Sequence, residues 1–217
     1  MRNKLTEMGK KQLAFYFDSS SCSGCKTCQV ACKDKHDSGE GILWRRVYEA
    51  AGGDWVKDGN AWVPNVYSYY ISMACNHCVE PLCLYSCPNN AIVKNDDGIV
   101  LIEKDRCMGC RYCEWNCPYG ALQFDKSQGV MTKCTFCDDY LAEGKKPSCI
   151  TACPMRVLDI GELEELEKEH GKSNEIFPMP RAHYTQPAIV VKPHRDARMA
   201  ENVEMKIDNL EEIKNEQ

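Results

Sequence analysis

Sixteen cysteines, arranged as four groups of four, constrain this chain more than any other feature of its 217 residues. The first and third groups share the spacing C-x2-C-x2-C-x3-C, whereas one gap is longer in the second and fourth. In chain order the groups are Cys22, Cys25, Cys28 and Cys32; Cys75, Cys78, Cys83 and Cys87; Cys107, Cys110, Cys113 and Cys117; and Cys134, Cys137, Cys149 and Cys153. No cysteine lies outside a group, so one explanation must cover all of them.

The spacing of the groups is typical of bacterial ferredoxins. In the run C-x2-C-x2-C-x3-C-P, three cysteines bind one iron-sulfur cluster and the fourth binds the other cluster of a pair. Gly24 and Gly109 lie inside two of the loops, where glycine lets backbone amides approach cluster sulfur. Proline follows the last cysteine of three groups, at Pro88, Pro118 and Pro154, which favours a chain reversal over a longer helix. The sequence therefore predicts clusters that are shared between pairs of groups.

Other uses of cysteine fit this pattern less well. Disulfide-rich folds are usually shorter secreted chains, and closely repeated cysteine triplets would strain such bridges. Zinc knuckles usually supply two ligands each across a gap of about twelve or more residues, whereas two groups here place three cysteines within one short loop. A thioredoxin-type pair would stand alone beside a βαβ pattern. Zinc and disulfides remain the alternatives to iron-sulfur ligation.

Composition excludes several classes of function. The 27 basic and 32 acidic residues are interspersed and give a net charge of −5, so no nucleic-acid surface is expected. Only 43% of the residues are apolar, which makes a large aliphatic core improbable. No apolar run approaches the roughly 18 residues of a membrane span. The first twelve residues are polar and resemble no secretory signal, so export is expected to depend on another chain.

Short apolar segments around the cysteine groups predict an α+β fold. Two of them flank a turn at Asp97-Gly98, as in a ferredoxin hairpin. Sequence position pairs the second group with the third and the first with the fourth, which gives two ferredoxin-like two-cluster units, one inserted in the other. The predicted parts are an outer unit (13–36 plus 130–160), an inserted β-hairpin (42–72), an inner unit (73–128), and a C-terminal region (161–217) with a short helix, an extended arm and a disordered tail.

The predicted hairpin is rich in aromatic residues and turns at Asp58-Gly59. Two roles are open for its aromatic side chains: they cover clusters that lack an aliphatic core, or they dock a partner. These side chains are Trp44, Tyr48, Trp55, Trp62, Tyr67, Tyr69 and Tyr70.

The C-terminal region contains little that predicts a core of its own. A short acidic helix is expected over 162–170, closed by Gly171. Residues 177–193 are rich in proline and are expected to extend along a partner, with disorder after about Arg198. Within the cysteine loops, His77, Arg111 and Tyr112 either tune a neighbouring cluster or face solvent.

The order and spacing of all four groups resemble the four-cluster electron-transfer subunits of the dimethyl sulfoxide reductase family of molybdoenzymes. The resemblance covers residues 13–193 and extends beyond the cysteines. It includes CSGCKTC (22–28), WRRVYE (44–49), AGGDW (51–55), CNHC (75–78), GCRYC (109–113), EGKKP (143–147) and PRAH (180–183).

The resemblance implies four [4Fe-4S] clusters with crossed ligation. The implied ligand sets are a first set of Cys22, Cys25, Cys28 and Cys153; a second of Cys32, Cys134, Cys137 and Cys149; a third of Cys75, Cys78, Cys83 and Cys117; and a fourth of Cys87, Cys107, Cys110 and Cys113. The related nitrate reductase subunit has tryptophan at the position of Cys110 and a [3Fe-4S] cluster, so cysteine here implies [4Fe-4S]. Lys33 follows Cys32 where the ferredoxin run has proline, which leaves the ligand in place.

The resemblance also implies a function and partners. Such a subunit relays electrons between a quinol-oxidising membrane anchor and a molybdopterin catalytic subunit, which carries out the chemistry. In this family the catalytic subunit often carries a twin-arginine signal and takes the folded iron-sulfur subunit with it. A membrane-associated, extracytoplasmic complex is therefore expected, with a cytoplasmic one as the alternative. A freestanding polyferredoxin, or the electron-transfer subunit of a hydrogenase or formate dehydrogenase, is the alternative function.

Overall fold

The structure, a computed structural model, describes residues 11–197 and 205–213. This part of the chain has an α+β fold, as predicted. Its strands are β1 (Leu13–Asp18), β2 (Arg46–Gly52), β3 (Trp55–Asp58), β4 (Ala61–Pro64), β5 (Tyr67–Met73), β6 (Ile92–Lys94), β7 (Val100–Ile102), β8 (Gln123–Asp125), β9 (Val130–Thr132), β10 (Leu158–Glu162), β11 (Ile189–Lys192) and β12 (Met205–Ile207). Its α-helices are α1 (Thr27–Lys35), α2 (Leu82–Tyr85), α3 (Tyr112–Trp115), α4 (Asp138–Ala142), α5 (Ser148–Thr151), α6 (Leu163–His170) and α7 (Leu210–Ile213).

A three-stranded sheet in the order β10-β1-β11 joins distant parts of the chain. β1 pairs antiparallel with β10 and parallel with β11. Because side chains alternate along a strand, Phe15 and Phe17 enter the main core while Ala14 lies on the opposite face. Leu166 of α6 covers that opposite face together with Val190. The sheet is therefore buried on both faces.

The second sheet, in the order β12-β2-β5, carries a separate hairpin formed by β3 and β4. Gly59 turns the hairpin with a φ of +58°, between the paired residues Asp58 and Ala61. Every residue of β3 and β4 is exposed, and Trp55 and Trp62 keep 58% and 64% of their surface open. These two tryptophans therefore cover no cluster.

Two short hairpins lie beside the second and third cysteine groups. β6 pairs with β7, and β8 pairs with β9. Ile92, Val100, Leu122 and Met131 pack together and contact Cys113. Apolar side chains of the hairpins thus form the local core around these groups.

The region predicted to extend along a partner contains a strand of this chain's own sheet. Residues 188–191 are each at most 3% exposed, because β11 occupies the open edge of β1 and places side chains on both buried faces. The Phe15 N–H donates to the carbonyl of Ala188 at 3.2 Å. The prediction that this segment extends along a partner is therefore wrong for residues 188–191. An apolar run beside prolines does not show which strand of the chain it will pair with.

The predicted disordered tail is also partly structured. β12 pairs with β2, and the Asn209 side chain accepts from the Glu49 N–H at 2.8 Å and donates to the Val47 carbonyl at 2.7 Å. Ile213 of α7 is buried. The rest of the predicted tail, 198–204 and 214–217, lies outside the described residues.

Among the described residues, no helix is long and apolar enough to cross a membrane. The longest is α1, with nine residues.

Phe136 lies at the centre of the main core, with no exposed surface. Its ring stacks on Phe15 with centroids 4.2 Å apart, and the edge of the His77 ring contacts it at 5.0 Å. Phe15 belongs to β1, whereas Phe136 and His77 lie in the fourth and second cysteine groups. One aromatic cluster therefore ties these groups to the sheet.

Phe136→Ala is expected to lower the free energy of unfolding by about 3–5 kcal/mol, because it removes a buried ring and leaves a cavity. The measurement is the guanidinium midpoint of the near-ultraviolet circular dichroism of the purified full chain. Trp62→Ala, which removes an exposed aromatic ring, is the control and should change the midpoint little. Equal shifts in the two variants would contradict the assignment of Phe136 to the core.

Candidate iron-sulfur centres

All sixteen cysteines lie in the described residues as free thiols. Twelve of them line three separate cavities, four to a cavity. The cavities are bounded by the first set (Cys22, Cys25, Cys28, Cys153), the third set (Cys75, Cys78, Cys83, Cys117) and the fourth set (Cys87, Cys107, Cys110, Cys113). The structure therefore brings together residues that are far apart in sequence, in the combinations that the resemblance implies.

The remaining four cysteines, the second set (Cys32, Cys134, Cys137, Cys149), are all buried. Cys32 interacts electrostatically with Cys149 and Cys137, and Cys134 interacts with Cys32 and Cys149. These thiols are therefore neighbours as well, in the interior of the chain.

The spacing of the last two cysteines in each group explains the crossing between groups. They are always four residues apart, about one helical turn, at 28 and 32, 83 and 87, 113 and 117, and 149 and 153. In the first group both lie in α1, yet Cys28 faces the first set and Cys32 the second. α1 packs against α5, and α2 packs against α3. Each packed pair of helices thus serves two neighbouring sets.

The first two cysteines of each group flank a tight turn whose third residue has a positive φ. In two groups this residue is glycine, Gly24 (φ +66°) and Gly109 (φ +69°). In the other two groups it is His77 (φ +42°) and Phe136 (φ +67°). A left-handed backbone costs a residue with a side chain about 1–2 kcal/mol. The burial of both rings against each other offsets that cost.

In the turns after Cys87 and Cys117, a backbone N–H donates a hydrogen bond back to the cysteine sulfur. Ala91 N–H donates to Cys87 Sγ at 3.2 Å, and Ala121 N–H donates to Cys117 Sγ at 3.4 Å. In both turns the residue before the alanine is left-handed, Asn90 with φ +49° and Gly120 with φ +56°. Hydrogen bonds of this kind stabilise a thiolate and tune the potential of a bound cluster.

Side chains other than cysteine also contact cysteine sulfur. Ser72 Oγ lies 3.3 Å from Cys28 Sγ, and Thr27 Oγ1 donates to Cys25 Sγ at 3.4 Å. His36 Nε2 lies 3.4 Å from Cys137 Sγ. Sequence reasoning did not find Ser72 or His36, because no spacing rule links either residue to the cysteine that it contacts.

Several of the thiols sit in surroundings that disfavour a bare thiolate. Burial raises the pKa of Cys22 to about 11 and the pKa of Cys32, Cys78 and Cys113 to about 12. A cysteine ligand must lose its proton to bind metal. These sites therefore favour thiolates only when positive charge, such as iron, accompanies them.

Residues within the cysteine loops have different environments. His77 has no exposed surface, and its Nδ1 accepts from the Val100 N–H at 3.1 Å, so of the two alternatives the one in which it faces solvent is wrong. Burial, together with the nearby Lys133, lowers its pKa well below the usual value. Arg111 pairs with Glu114 at 2.8 Å, and Tyr112 is 48% exposed.

The donor set and its grouping into fours fit multi-iron clusters. In the described part of the chain, no group of three or more His, Cys, Asp or Glu side chains is arranged to hold a single metal ion. Instead, the thiols of the first, third and fourth sets each surround a small apolar cavity. Cluster irons bound to four cysteines each would satisfy thiols placed in this way.

Comparison with known proteins identifies relatives across most of the chain. A family model described as "4Fe-4S dicluster domain" matches residues 66–163. A chain of the anaerobic dimethyl sulfoxide reductase of Escherichia coli is 51% identical over 187 residues, 86% of this chain and 91% of that protein. The Haemophilus influenzae protein of the same name is 44% identical, over 94% of this chain and all of that protein. A sulfite dehydrogenase subunit of Allochromatium vinosum is 33% identical, over 87% of this chain and 85% of that protein.

Gly109→Ala is expected to reduce binding of a cluster by the fourth set. An added Cβ would lie 2.4 Å from the Gly129 carbonyl oxygen, so the loop carrying Cys107 and Cys110 would have to move. The measurement is iron and acid-labile sulfide per chain after anaerobic purification.

Gly129→Ala is the matched control. Gly129 has the same φ of +69°, but a Cβ there would meet nothing within 4 Å. Its cost should therefore be only the backbone strain of about 1–2 kcal/mol. Equal iron loss in both variants would show that strain, rather than the clash, disturbs the site.

Proposed function

This protein belongs to the family of dimethyl sulfoxide reductase iron-sulfur subunits, and we propose that it relays electrons through four [4Fe-4S] clusters between a quinol-oxidising membrane subunit and a molybdopterin catalytic subunit. When bound, each cluster takes up and passes on one electron at a time. The catalytic chemistry belongs to the partner's cofactor. This chain holds the clusters in position, separates them from solvent and donates hydrogen bonds to them. The ligands are the four sets of cysteines, sixteen residues in total.

The observation that carries this proposal is the sequential contact of the four sets. The first and second sets share the packed helices α1 and α5. The second and third sets approach each other through Cys134 and Cys75, which interact electrostatically. The third and fourth sets are served by the packed helices α2 and α3. A cluster in each set would therefore have a neighbour on the path from the first set to the fourth.

The same contacts support a nested arrangement of two ferredoxin-like units. The inner unit is residues 73–128, and the outer unit is residues 13–36 with 130–160, interrupted by the 42–72 insertion. Packing of α1 on α5 joins the two halves of the outer unit, whereas packing of α2 on α3 stays within the inner unit. A single aromatic cluster of Phe15, Phe136 and His77 lies where the two units meet.

The proposed complex is membrane-associated through its anchor subunit and lies on the extracytoplasmic side, carried there with the catalytic subunit. The resemblance to exported molybdoenzymes supports this placement. The internal pair Arg45-Arg46 is not an export signal, because Arg45 is only 2% exposed in the folded chain. Protease treatment of intact spheroplasts should degrade the chain if this placement is right and spare it if the complex faces the cytoplasm.

Anaerobic purification of the tagged full chain from a host that makes all subunits tests the function. About sixteen irons and sixteen sulfides per chain are expected, together with a molybdenum-containing partner chain. Stoichiometric zinc without sulfide would contradict iron-sulfur ligation. A full complement of iron without any molybdenum-containing partner would favour a freestanding polyferredoxin.

Paired substitutions test the crossed ligand sets. Cys22→Ser combined with Cys153→Ser should alter the electron paramagnetic resonance signal of one cluster, because both residues line one cavity. Cys22→Ser combined with Cys149→Ser should alter two. Cys149 and Cys153 lie four residues apart in the same cysteine group, so they form a matched pair. If the Cys149 pair alters one signal and the Cys153 pair two, the crossing is wrong.

A further inference from the structure

Arg45 is a cation buried between the first and second sets. It precedes β2 and is 2% exposed. Its Nη1 donates to the Ser72 carbonyl oxygen at 3.3 Å and to Ser72 Oγ at 3.1 Å. The guanidinium carbon lies 4.8 Å from the centre of the Phe15 ring. Ser72 Oγ is also the atom that contacts Cys28 of the first set. The guanidinium is therefore held in place beside both sets.

Two of the Arg45 donors have no partner among the described residues. Nε and Nη2 are buried and form no hydrogen bond to any described residue. Leaving a charged donor unsatisfied in the interior costs more than the roughly 1–3 kcal/mol of a neutral one. No carboxylate among the described residues forms an ion pair with Arg45. Two unsatisfied donors on a buried cation indicate an acceptor that is not a protein side chain.

The electrostatic neighbours of Arg45 are cysteines. Burial by itself would lower its pKa, but the thiols of Cys149, Cys28, Cys134 and Cys32 outweigh that effect and raise the pKa above its ordinary value. Three of these four belong to the second set and one to the first. The Arg45 backbone also forms a hydrogen bond to the Cys32 thiol. The guanidinium also covers the Phe15 ring, which stacks on Phe136 between Cys134 and Cys137, so the charge lies next to the second set.

A fixed positive charge favours whichever redox state of its neighbour is more negative. Reduction of a cluster adds one electron, and Arg45 keeps its proton in both states because arginine is charged at all accessible pH values. Lys133, the other buried cation of the described residues, contacts Cys134 too, but its Nζ donates to the carbonyls of Val100 and Cys134. Arg45 differs in having two buried donors, Nε and Nη2, that form no hydrogen bond to a described residue.

We propose that Arg45 raises the reduction potential of the cluster held by the second set, with Nε and Nη2 donating to sulfur of that site. This inference rests on the proposed function, since it requires a cluster there. Its consequence is that the second position of the relay accepts electrons more readily than burial alone would allow. The electrons that reduce this cluster come from the quinol-oxidising membrane subunit of the proposed complex.

Redox titration of the intact complex, followed by electron paramagnetic resonance, tests the inference through Arg45→Gln. At a fixed ambient potential, the reduced-to-oxidised ratio of one cluster should fall about tenfold. This fall corresponds to a decrease of about 59 mV in the reduction potential of a one-electron couple. Arg181→Gln removes the same charge from a side chain that is 71% exposed and should leave every ratio unchanged. Arg45→Lys keeps the charge and should stay within about threefold of the unaltered protein. A shift in Arg45→Lys as large as in Arg45→Gln, or no shift in Arg45→Gln, would overturn the inference.

A second measurement does not use the Arg45→Gln variant, so it tests the inference even if that variant fails to assemble. In protein containing arginine labelled with the heavy nitrogen isotope, pulsed resonance should detect arginine nitrogen coupled to a reduced cluster. Arg45→Lys should remove that coupling, and Arg181→Gln should keep it. Absence of the coupling would overturn the inference while leaving the relay intact. Absence of cluster signals from the unaltered complex would instead refute the proposed function.

Discussion

The structure depends on a single spacing, the four residues between the third and fourth cysteines of each group. That distance is about one helical turn, so in α1 a single helix presents both sulfur atoms, whereas in the other groups the last cysteine follows a helix of four residues. Cys28 and Cys32 of α1 show the consequence, because they face different sets. Two such segments packed together bring two sets side by side. The sheets and hairpins need only hold these segments in contact, which explains why strands as short as three residues suffice.

Placing the cysteines in the interior has an unfavourable effect on their ionisation. Burial raises the pKa of thiols such as Cys32 and Cys78 to about 12, which opposes thiolate formation. Backbone amides, the hydroxyl of Ser72 and the buried Arg45 supply partial or full positive charge close to those atoms. Such groups are costly in an apolar core and favourable beside a bound anion. The folded state and the loaded sites should therefore stabilise each other.

The sequence revealed the cysteine chemistry but not the parts that depend on long-range contacts. The spacing of the cysteines predicted iron-sulfur ligation, and apolar patterning predicted the two short strands around Asp97-Gly98. It did not reveal that residues 188–191 complete the sheet beside β1, because an edge strand has no local mark of its partner. Arg45 was equally hidden. In the sequence it is one of two adjacent arginines, and only the fold distinguishes it from Arg46 by burying it beside Ser72.

The two turns without glycine hold the second and fourth cysteine groups against each other. A turn at this position needs a positive φ, and Gly24 and Gly109 meet that need without a side chain. His77 and Phe136 meet it at a cost of about 1–2 kcal/mol each, which glycine would avoid. Their side chains contact each other, and Phe136 stacks on Phe15 of β1. Because Cys75 and Cys134 approach each other at this point, the strained positions hold the second and third sets together. The backbone strain is thus located where the second and third sets meet.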